Sequence, residues 1–188
     1  MAEPGPAEQE EIRLLERIAN GDKQAFDTFY RRYHPRLARF LERVTRRPGL
    51  VEELLNDTLL VVWDKAASFN RRSKVSTWVF AIAYRKALKA LQRWDQPQPA
   101  EALEQHADQG PGPEQLLGKQ QLHTALQEAL DGLSAEHRAV VDLTYFHGLA
   151  YGEIAAIVDC PPDTVKTRMF YARRRLKVLL GGRLGDWL

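Results

Sequence analysis

An acidic, proline-bearing stretch at residues 95–118 constrains the possible fold more than any other feature of the sequence. It holds four of the chain's ten prolines and five acidic residues, with no lysine or arginine. Its only large apolar residues are Leu103, Leu116 and Leu117. Such a segment cannot bury enough apolar surface to offset the entropy of ordering it, so we expect an extended linker. The 188-residue chain is therefore expected to form two small domains, of about 94 and 70 residues.

Both halves of the chain are expected to be helical. Apolar residues recur at three- and four-residue steps, as in Phe26, Phe29, Tyr33 and Leu37. Asp22 is predicted to cap the helix that carries them, and Pro48-Gly49 is predicted to break it. Further helices are expected over about 51–67 and from near Ser76 to Trp94. No segment alternates convincingly with period two, so the predicted fold class is all-α.

The second half contains a predicted helix-turn-helix. A stripe of leucines and alanines over 122–133 precedes it, and Ser134 is the expected N-cap of the helix that follows. A short helix over 151–158, a three-residue turn and a long basic helix from Pro162 to about Leu180 then follow. The inward faces of the two helices are expected to hold small and apolar residues: Ile154, Ala155, Val158, Val165 and Met169.

The long basic helix is predicted to bind DNA. A helix fits the major groove, where long donors near its N-terminus reach base edges and the others contact phosphates. A helical hairpin with a solvated basic face is the alternative interpretation. The residues expected to project from this helix are Lys166, Thr167, Arg168, Tyr171, Arg173, Arg174 and Arg175.

A second nucleic-acid surface is predicted over 68–94. The segment 71–94 carries seven lysines and arginines and no acid. Aromatic residues interleave with these cations, and Trp78 is one of them. Unpaired bases stack on aromatic rings while phosphates meet basic side chains. Burial of Trp78 in the core is the competing interpretation.

Several classes of site and location are excluded by the sequence. The five histidines have no metal-ligand spacing, and the single cysteine, Cys160, excludes a disulfide framework and a cysteine-rich zinc site. We expect Cys160 to be a small, partly buried filler. No phosphate-binding loop, secretory signal or membrane-spanning run is recognisable, so a cytoplasmic protein is expected.

Four runs of the sequence resemble one known family. The run YGEIAAIVDCPPDTVKTRMFYARRRLK is similar to region 4 of bacterial extracytoplasmic-function (ECF) sigma factors. Three further runs are similar to region 2 of that family and occur in the same order as in the family: AFDTFYRRYHPRLARFL, VEELLNDTLLVVWDKAASF and STWVFAIAYRKALKALQRW. The resemblance implies a tail and helix over 1–21, region 2 over 22–94, the linker over 95–118, region 4 over 119–180 and a tail over 181–188.

The resemblance implies a sigma factor. Such a protein binds the beta and beta-prime subunits of core RNA polymerase, recognises promoter DNA and helps to open it, with a stress or envelope response as the expected setting. It has no catalytic residues, cofactor, metal or small-molecule substrate of its own. A cognate anti-sigma factor is a further expected partner, and one bound to the inner membrane could hold the protein there.

Three sets of residues are implied by the match. Polymerase binding is assigned to Glu53, Leu54, Leu55, Asn56, Asp57, Leu59 and Trp63. Contact with the minus-ten element is assigned to Phe69, Asn70, Arg71, Arg72, Lys74, Ser76, Thr77, Trp78, Arg85 and Lys86. Contact with the minus-thirty-five element is assigned to Thr164, Lys166, Thr167, Arg168, Tyr171, Arg173, Arg174 and Arg175.

The sequence departs from the family pattern at a few positions. Tyr84-Arg85 stands where Arg-Asn is common, Lys89 where an Asp is common, and Asn56 where Gln is common. Two other functions remain open: a helix-turn-helix regulator that does not bind polymerase, and a helical adaptor that binds only protein. The linker further predicts that the two domains are stable separately and take variable relative orientations, which would let an anti-sigma factor wedge between them.

Overall fold

The computed structural model describes residues 5–94 and 129–179. The predicted linker, the leucines at 122 and 126 and both chain ends therefore lie outside the described residues. Within those two ranges the chain is helical and contains no strand, which confirms the all-α prediction.

Four helices form the first domain. They are α1 (Pro6–Ala19), α2 (Lys23–Thr45), α3 (Pro48–Lys65) and α4 (Val75–Trp94), with a 3-10 turn at Ala66–Ser68. The Asp22 side chain accepts hydrogen bonds from the backbone N–H groups of Gln24 and Ala25, which confirms the predicted N-cap. The core is built on α2, whose Phe40 ring meets the Phe80 ring of α4 edge-on at 5.1 Å.

The break between α2 and α3 differs in one detail from the prediction. Helix α2 ends before Arg46, which adopts the left-handed conformation with φ 55°. Pro48 then begins α3, three residues earlier than expected. Proline fits the first turn of a helix because the amide that it lacks would have no partner there.

The second domain contains three complete helices within the described residues. A helical turn ends at Asp131, followed by α5 (Ala135–Tyr145), α6 (Tyr151–Val158) and α7 (Pro162–Leu179). Ser134 accepts the backbone N–H of His137, which confirms its capping role. All five residues predicted to face inward in the helix-turn-helix are buried. Asp159 takes a left-handed conformation at the turn, with φ 52°.

The two domains pack against each other, an arrangement that the sequence did not predict. Helix α5 lies against α2 and α6 lies against α4. Buried residues of both domains belong to one continuous apolar cluster. The structure therefore presents one packed arrangement of the domains where variable orientations were expected.

Candidate nucleic-acid and polymerase surfaces

Helix α7 has a buried apolar stripe and a largely basic exposed side, on which Phe170 and Val178 also lie. Its buried stripe consists of Val165, Met169, Ala172 and Leu176, which recur at three- and four-residue steps. The opposite side is exposed and carries most of the predicted DNA-binding residues: Lys166, Thr167, Tyr171, Arg173, Arg174 and Arg175. The geometry therefore presents a basic helical face that can lie in a major groove.

Three of the α7 side chains make local contacts. Lys166 Nζ lies 2.9 Å from Asp163 Oδ1, and both side chains are exposed. Arg173 Nε donates to the Tyr145 hydroxyl at 3.0 Å. The Thr167 hydroxyl donates to the backbone carbonyl of Asp163. These surface contacts contribute little stability, so they leave the side chains available to a DNA ligand.

Arg168 and Thr164 are the two residues assigned to the minus-thirty-five element that are only half-exposed. Arg168 points toward the first domain, where its guanidinium interacts with the Tyr84 side chain of α4. Its Nη1 also lies 3.9 Å from the Sγ of Cys160. In this packing Arg168 is therefore less accessible than its exposed neighbours Lys166 and Thr167.

The predicted minus-ten residues gather around the loop between the 3-10 turn and α4. Phe69 and Trp78 lie together, with ring centroids 5.5 Å apart. Asn70 Oδ1 accepts the backbone N–H of Arg72 at 3.1 Å. Arg71 has a left-handed backbone with φ 57° and pairs with Glu16 of α1. The loop is thus shaped by its own side chains and anchored to α1.

The remaining minus-ten residues are less uniformly exposed. Arg85 is exposed, whereas Ser76 is half-buried and Thr77 is buried. Lys86 Nζ lies 2.8 Å from Asp57 Oδ2 of α3. Trp78 is half-buried: its ring packs against Phe69, and part of the side chain remains accessible. Packing in the core and stacking on a base were the two interpretations of this residue, and the structure is compatible with each for a different part of the side chain.

Helix α3 exposes fewer of the residues assigned to polymerase binding than the sequence match implied. Its three matched leucines, Leu54, Leu55 and Leu59, lie in the core, and Trp63 is half-buried with its ring against Phe26. Glu53 and Asn56 are exposed. The buried leucines can position this surface but cannot contact a partner directly.

Leu60 is an accessible residue of α3 that the sequence analysis missed. Its side chain is 57% exposed on a helix whose other leucines are buried or half-buried. It lies four residues after Asn56 and seven after Glu53, so all three share one face. That spacing was the signal that could have identified it. We call Glu53, Asn56 and Leu60 the docking face.

Arg43, Asp142 and His147 form a polar cluster across the domain interface. The guanidinium of Arg43 in α2 lies 2.8 Å from Asp142 Oδ1 in α5, and the Asp142 side chain is only 2% exposed. His147 Nε2 lies 3.2 Å from the other carboxylate oxygen. Arg138 of α5 donates to the backbone carbonyl of Val44 at 3.0 and 2.8 Å. These contacts use charged groups of both domains that the sequence analysis left unassigned.

Three further groups at the interface have shifted pKa values: Tyr84, Glu153 and Lys74. Burial raises the pKa of Tyr84 to about 12, and the nearby Arg168 guanidinium opposes that rise. A hydrogen bond from Lys74 lowers the pKa of Glu153, and the same contact raises the pKa of Lys74. The Lys74–Glu153 pair therefore stays charged on both sides over a wide pH range.

The described parts of the chain contain no group of histidine, cysteine and carboxylate side chains arranged to hold a metal ion. Within the same ranges, no helix is both long and apolar enough to cross a membrane. Cys160 is half-buried and packs against the apolar cluster, in agreement with the predicted role of filler.

Both parts of the chain match known sigma-factor families. Residues 29–96 match Sigma-70 region 2, and residues 123–176 match Sigma-70, region 4. An ECF RNA polymerase sigma factor, RpoE, from Cereibacter sphaeroides is 31% identical over 157 residues, which cover 83% of this chain and 86% of that protein.

Two solved structures of protein complexes contain a chain with a similar fold. RpoE in complex with the anti-sigma factor NepR from Bartonella quintana is 27% identical, with a TM-score of 0.64 over 84% of this chain and 98% of that one. CnrH in complex with the cytosolic domain of CnrY has a TM-score of 0.68 over 93% of this chain and 99% of that one. At 21% identity, the likeness to CnrH concerns the fold alone.

Proposed function

The chain belongs to the extracytoplasmic-function (ECF) family of RNA polymerase sigma factors, and on this premise we propose how its surfaces direct core polymerase to promoters. One observation carries the proposal: a basic recognition helix and a separate basic and aromatic surface occur in one chain. A sigma factor needs both, because it holds duplex DNA upstream and unpaired bases at the start site. A helix-turn-helix regulator that does not bind polymerase needs only the first.

Upstream recognition is proposed for residues 119–180. The basic side of α7 enters the major groove at the minus-thirty-five element, with Lys166 and Arg168 near its N-terminus directed at base edges. Arg173, Arg174 and Arg175 lie further along the helix, where we propose that they contact phosphates. Their exposure on one long helix supports this division of roles.

Recognition and opening of the minus-ten element are proposed for the second surface, within residues 22–94. The accessible part of Trp78, beside Phe69, offers a ring on which an unpaired base can stack. Asn70, Arg71 and Arg72 surround it, and Lys74 follows. We propose that these cations hold the phosphates of the separated strand.

Polymerase binding is proposed for the docking face of α3. Leu60 supplies apolar contact, while Glu53 and Asn56 supply polar contacts around it. Asp57 is held by Lys86 and supports the edge of this surface. The beta-prime subunit is the proposed partner here, and the beta subunit is the proposed partner of the second domain.

The proposed role requires no chemistry from the chain itself. The polymerase makes the phosphodiester bonds, and no catalytic residue is assigned to this protein. Its place of action is the cytoplasm, where polymerase and promoter DNA are. An anti-sigma factor is a proposed regulator, because the similar RpoE of Bartonella quintana forms a complex with one. That regulator could retain the protein at the inner membrane.

Reconstitution with core polymerase tests the proposal. The chain should co-elute with core enzyme, and the holoenzyme should open promoter DNA, detected by permanganate reactivity of unpaired thymines. Asn70→Ala should reduce opening while leaving core binding intact, because Asn70 lies outside the docking face. Arg13→Ala is a control for the loss of one exposed side chain, since Arg13 is exposed on α1 and belongs to neither set of assigned residues. Failure to bind core enzyme, or opening that Asn70→Ala does not change, would count against the assigned roles.

A further inference from the structure

Each domain places one of its side chains on a proposed DNA-binding residue of the other domain. Glu153 of α6 meets Lys74 of the minus-ten loop, and Tyr84 of α4 meets Arg168 of α7. We propose that the packed arrangement is a self-masked state of the free protein, in which Glu153 and Tyr84 occupy Lys74 and Arg168 until the domains separate. This inference rests on the function proposed above and adds an intramolecular form of control to it.

Glu153 has two simultaneous contacts. One carboxylate oxygen accepts the backbone N–H of Ala150 at 3.0 Å and caps the start of α6. The other lies 2.7 Å from Lys74 Nζ. The Lys74 ammonium is thereby paired with a carboxylate at the position proposed for a DNA phosphate. Because the pair is partly exposed, it contributes little stability and can exchange for a phosphate.

Arg168 is more strongly enclosed. Its guanidinium interacts with the Tyr84 side chain and with Glu136, and the arginine is half-buried. Its neighbours Lys166 and Thr167 remain exposed on the same helix. A side chain held between two helices cannot reach the edge of a base in a major groove. In the packed state the basic face of α7 is therefore accessible, but Arg168, which is proposed to contact bases, is not available to DNA.

Tyr84 is also one of the positions at which this sequence departs from the family pattern. An arginine is common there, and an arginine facing Arg168 would repel it. A buried tyrosine instead places a polar hydroxyl beside the guanidinium. The contact is thus a property of this chain and does not follow from family membership.

Other contacts hold the domains together. Asp142 is paired with Arg43, and the Phe80 ring of the first domain meets the His147 ring of the second at 4.5 Å. None of these four residues is assigned to a DNA surface. Separation would expose their buried groups to water, which supplies hydrogen bonds to the charged ones.

The covalent connection does not enforce the packing. Arg47 lies over the Trp94 ring at 4.9 Å, and the adjacent Arg46 pairs with Asp131. The last described residue of the first domain, Trp94, and Asp131, near the first described residue of the second domain, therefore both lie beside the consecutive residues Arg46 and Arg47. Residues 95–130 separate Trp94 from Asp131, and a chain of that length can span on the order of 120 Å. Such a connection permits wide separation, so the packed state depends on the interface contacts.

Cross-domain substitutions test the proposal in the free, full-length protein. Tyr84→Phe removes only a hydroxyl, and it does so in the first domain. The probe is a duplex carrying only the upstream element, which the second domain is proposed to contact. The variant should bind this duplex about threefold more tightly or better than wild type. Tyr30→Phe is the matched control, because Tyr30 is a half-buried tyrosine of α2 whose ring lies against His34. It should change this affinity by less than about twofold.

The reciprocal test uses Glu153→Gln in the second domain. This variant should bind a single strand carrying the minus-ten element more tightly than wild type does, because it releases Lys74. An amide oxygen can still accept the Ala150 N–H, so the cap is retained. Asp27→Asn is the control for loss of one negative charge, since Asp27 pairs with Arg31 in an exposed contact on α2.

The thiol of Cys160 provides a direct readout of separation. It is the only cysteine of the chain, it is half-buried, and its Sγ lies 3.9 Å from Nη1 of Arg168. The rate of its alkylation should rise in Tyr84→Phe and stay unchanged in Tyr30→Phe. Increased DNA affinity together with faster alkylation supports the proposal. Affinities and alkylation rates equal to those of wild type in both cross-domain variants would overturn it.

These outcomes are distinct from those that test the proposed function. Self-masking is measured on the free chain, whereas promoter opening is measured on the holoenzyme. If the holoenzyme opens promoters and the cross-domain variants behave as wild type, the self-masked state is wrong while the function stands. If the holoenzyme fails to open any promoter, the function itself is wrong.

Discussion

The Arg43 guanidinium donates a 2.8 Å hydrogen bond to Oδ1 of Asp142 and joins helix α2 of the first domain to α5 of the second. The arginine also lies over the Phe146 ring, 3.6 Å from its centroid. The aspartate is almost fully buried, so its charge depends on partners within the protein. The domain interface therefore contains a partly buried ion pair in addition to its apolar contacts.

Removal of the buried carboxylate should weaken the packed state strongly. Asp142→Ala leaves Arg43 and His147 without their shared partner, and we expect the free energy of unfolding to fall by about 3 kcal/mol. Asp131→Ala, which removes the exposed partner of Arg46, should cost no more than about 1 kcal/mol. Urea denaturation of both variants measures the difference. Equal losses would show that the Asp142 cluster does not hold the domains together.

Two neighbouring leucines of α3 should differ in what they affect: Leu60 the binding of core polymerase, and Leu59 the stability of the protein. Leu60→Asp should weaken binding to core polymerase by at least about tenfold, because it places a charge where an apolar contact is expected. Helicity and stability should remain near those of wild type, since Leu60 is exposed. Leu59→Ala provides the contrast: it lies in the core and should cost about 2–5 kcal/mol of stability. Fluorescence anisotropy with labelled core enzyme, beside circular dichroism, tests both. Undiminished affinity in folded Leu60→Asp would exclude this face as the docking site.

Arg168 should affect promoter choice after the domains separate. In the holoenzyme, Arg168→Ala is expected to cost about 1–3 kcal/mol at the upstream element and to relax base preference there. Lys177→Ala, which removes an exposed cation near the end of α7, should weaken binding similarly on all sequences. Competition between wild-type and mutated duplexes separates the two effects. If Arg168→Ala changes only strand opening, its role has been assigned to the wrong element.

The Lys74–Glu153 pair predicts a dependence of stability on pH. Hydrogen bonding to Lys74 lowers the pKa of Glu153 below its usual value of 4.5. The resulting stabilisation is present above the pKa of the unfolded chain and is lost as the pH falls through the lower pKa of the folded protein. Glu153→Gln should therefore be less stable than wild type at neutral pH, and the difference should shrink as the solution becomes acidic. Denaturation at a series of pH values measures this, and a difference that grows in acid would contradict the ion pair.

Local features of the fold could be predicted from the sequence because short-range chemistry determines them. Capping by Asp22 and Ser134 depends on residues two or three positions away. The inward face of the helix-turn-helix follows from the four-residue spacing of Ile154 and Val158. These patterns identify helices and their buried sides whatever the domains do relative to each other.

The relations between the domains could not be predicted in this way. Arg43 and Asp142 lie 99 positions apart, and nothing in the local pattern of either residue indicates the other. The same is true of Lys74 with Glu153. An apolar period also identifies a helix without stating how wide its buried face is, so the sequence match did not show that Leu54, Leu55 and Leu59 are too deeply buried to contact a partner. Packing across the chain decides such questions.

Transcription from a library of random upstream sequences, with core polymerase and sequencing of transcript starts, tests the central claim most directly. Start sites that depend on this chain should share two sequence elements at a fixed spacing. The upstream element should lose definition with Arg168→Ala, and the downstream element with Asn70→Ala. Start sites that do not depend on the chain, or that share only one element, would contradict the assignment of two promoter-reading surfaces to this protein.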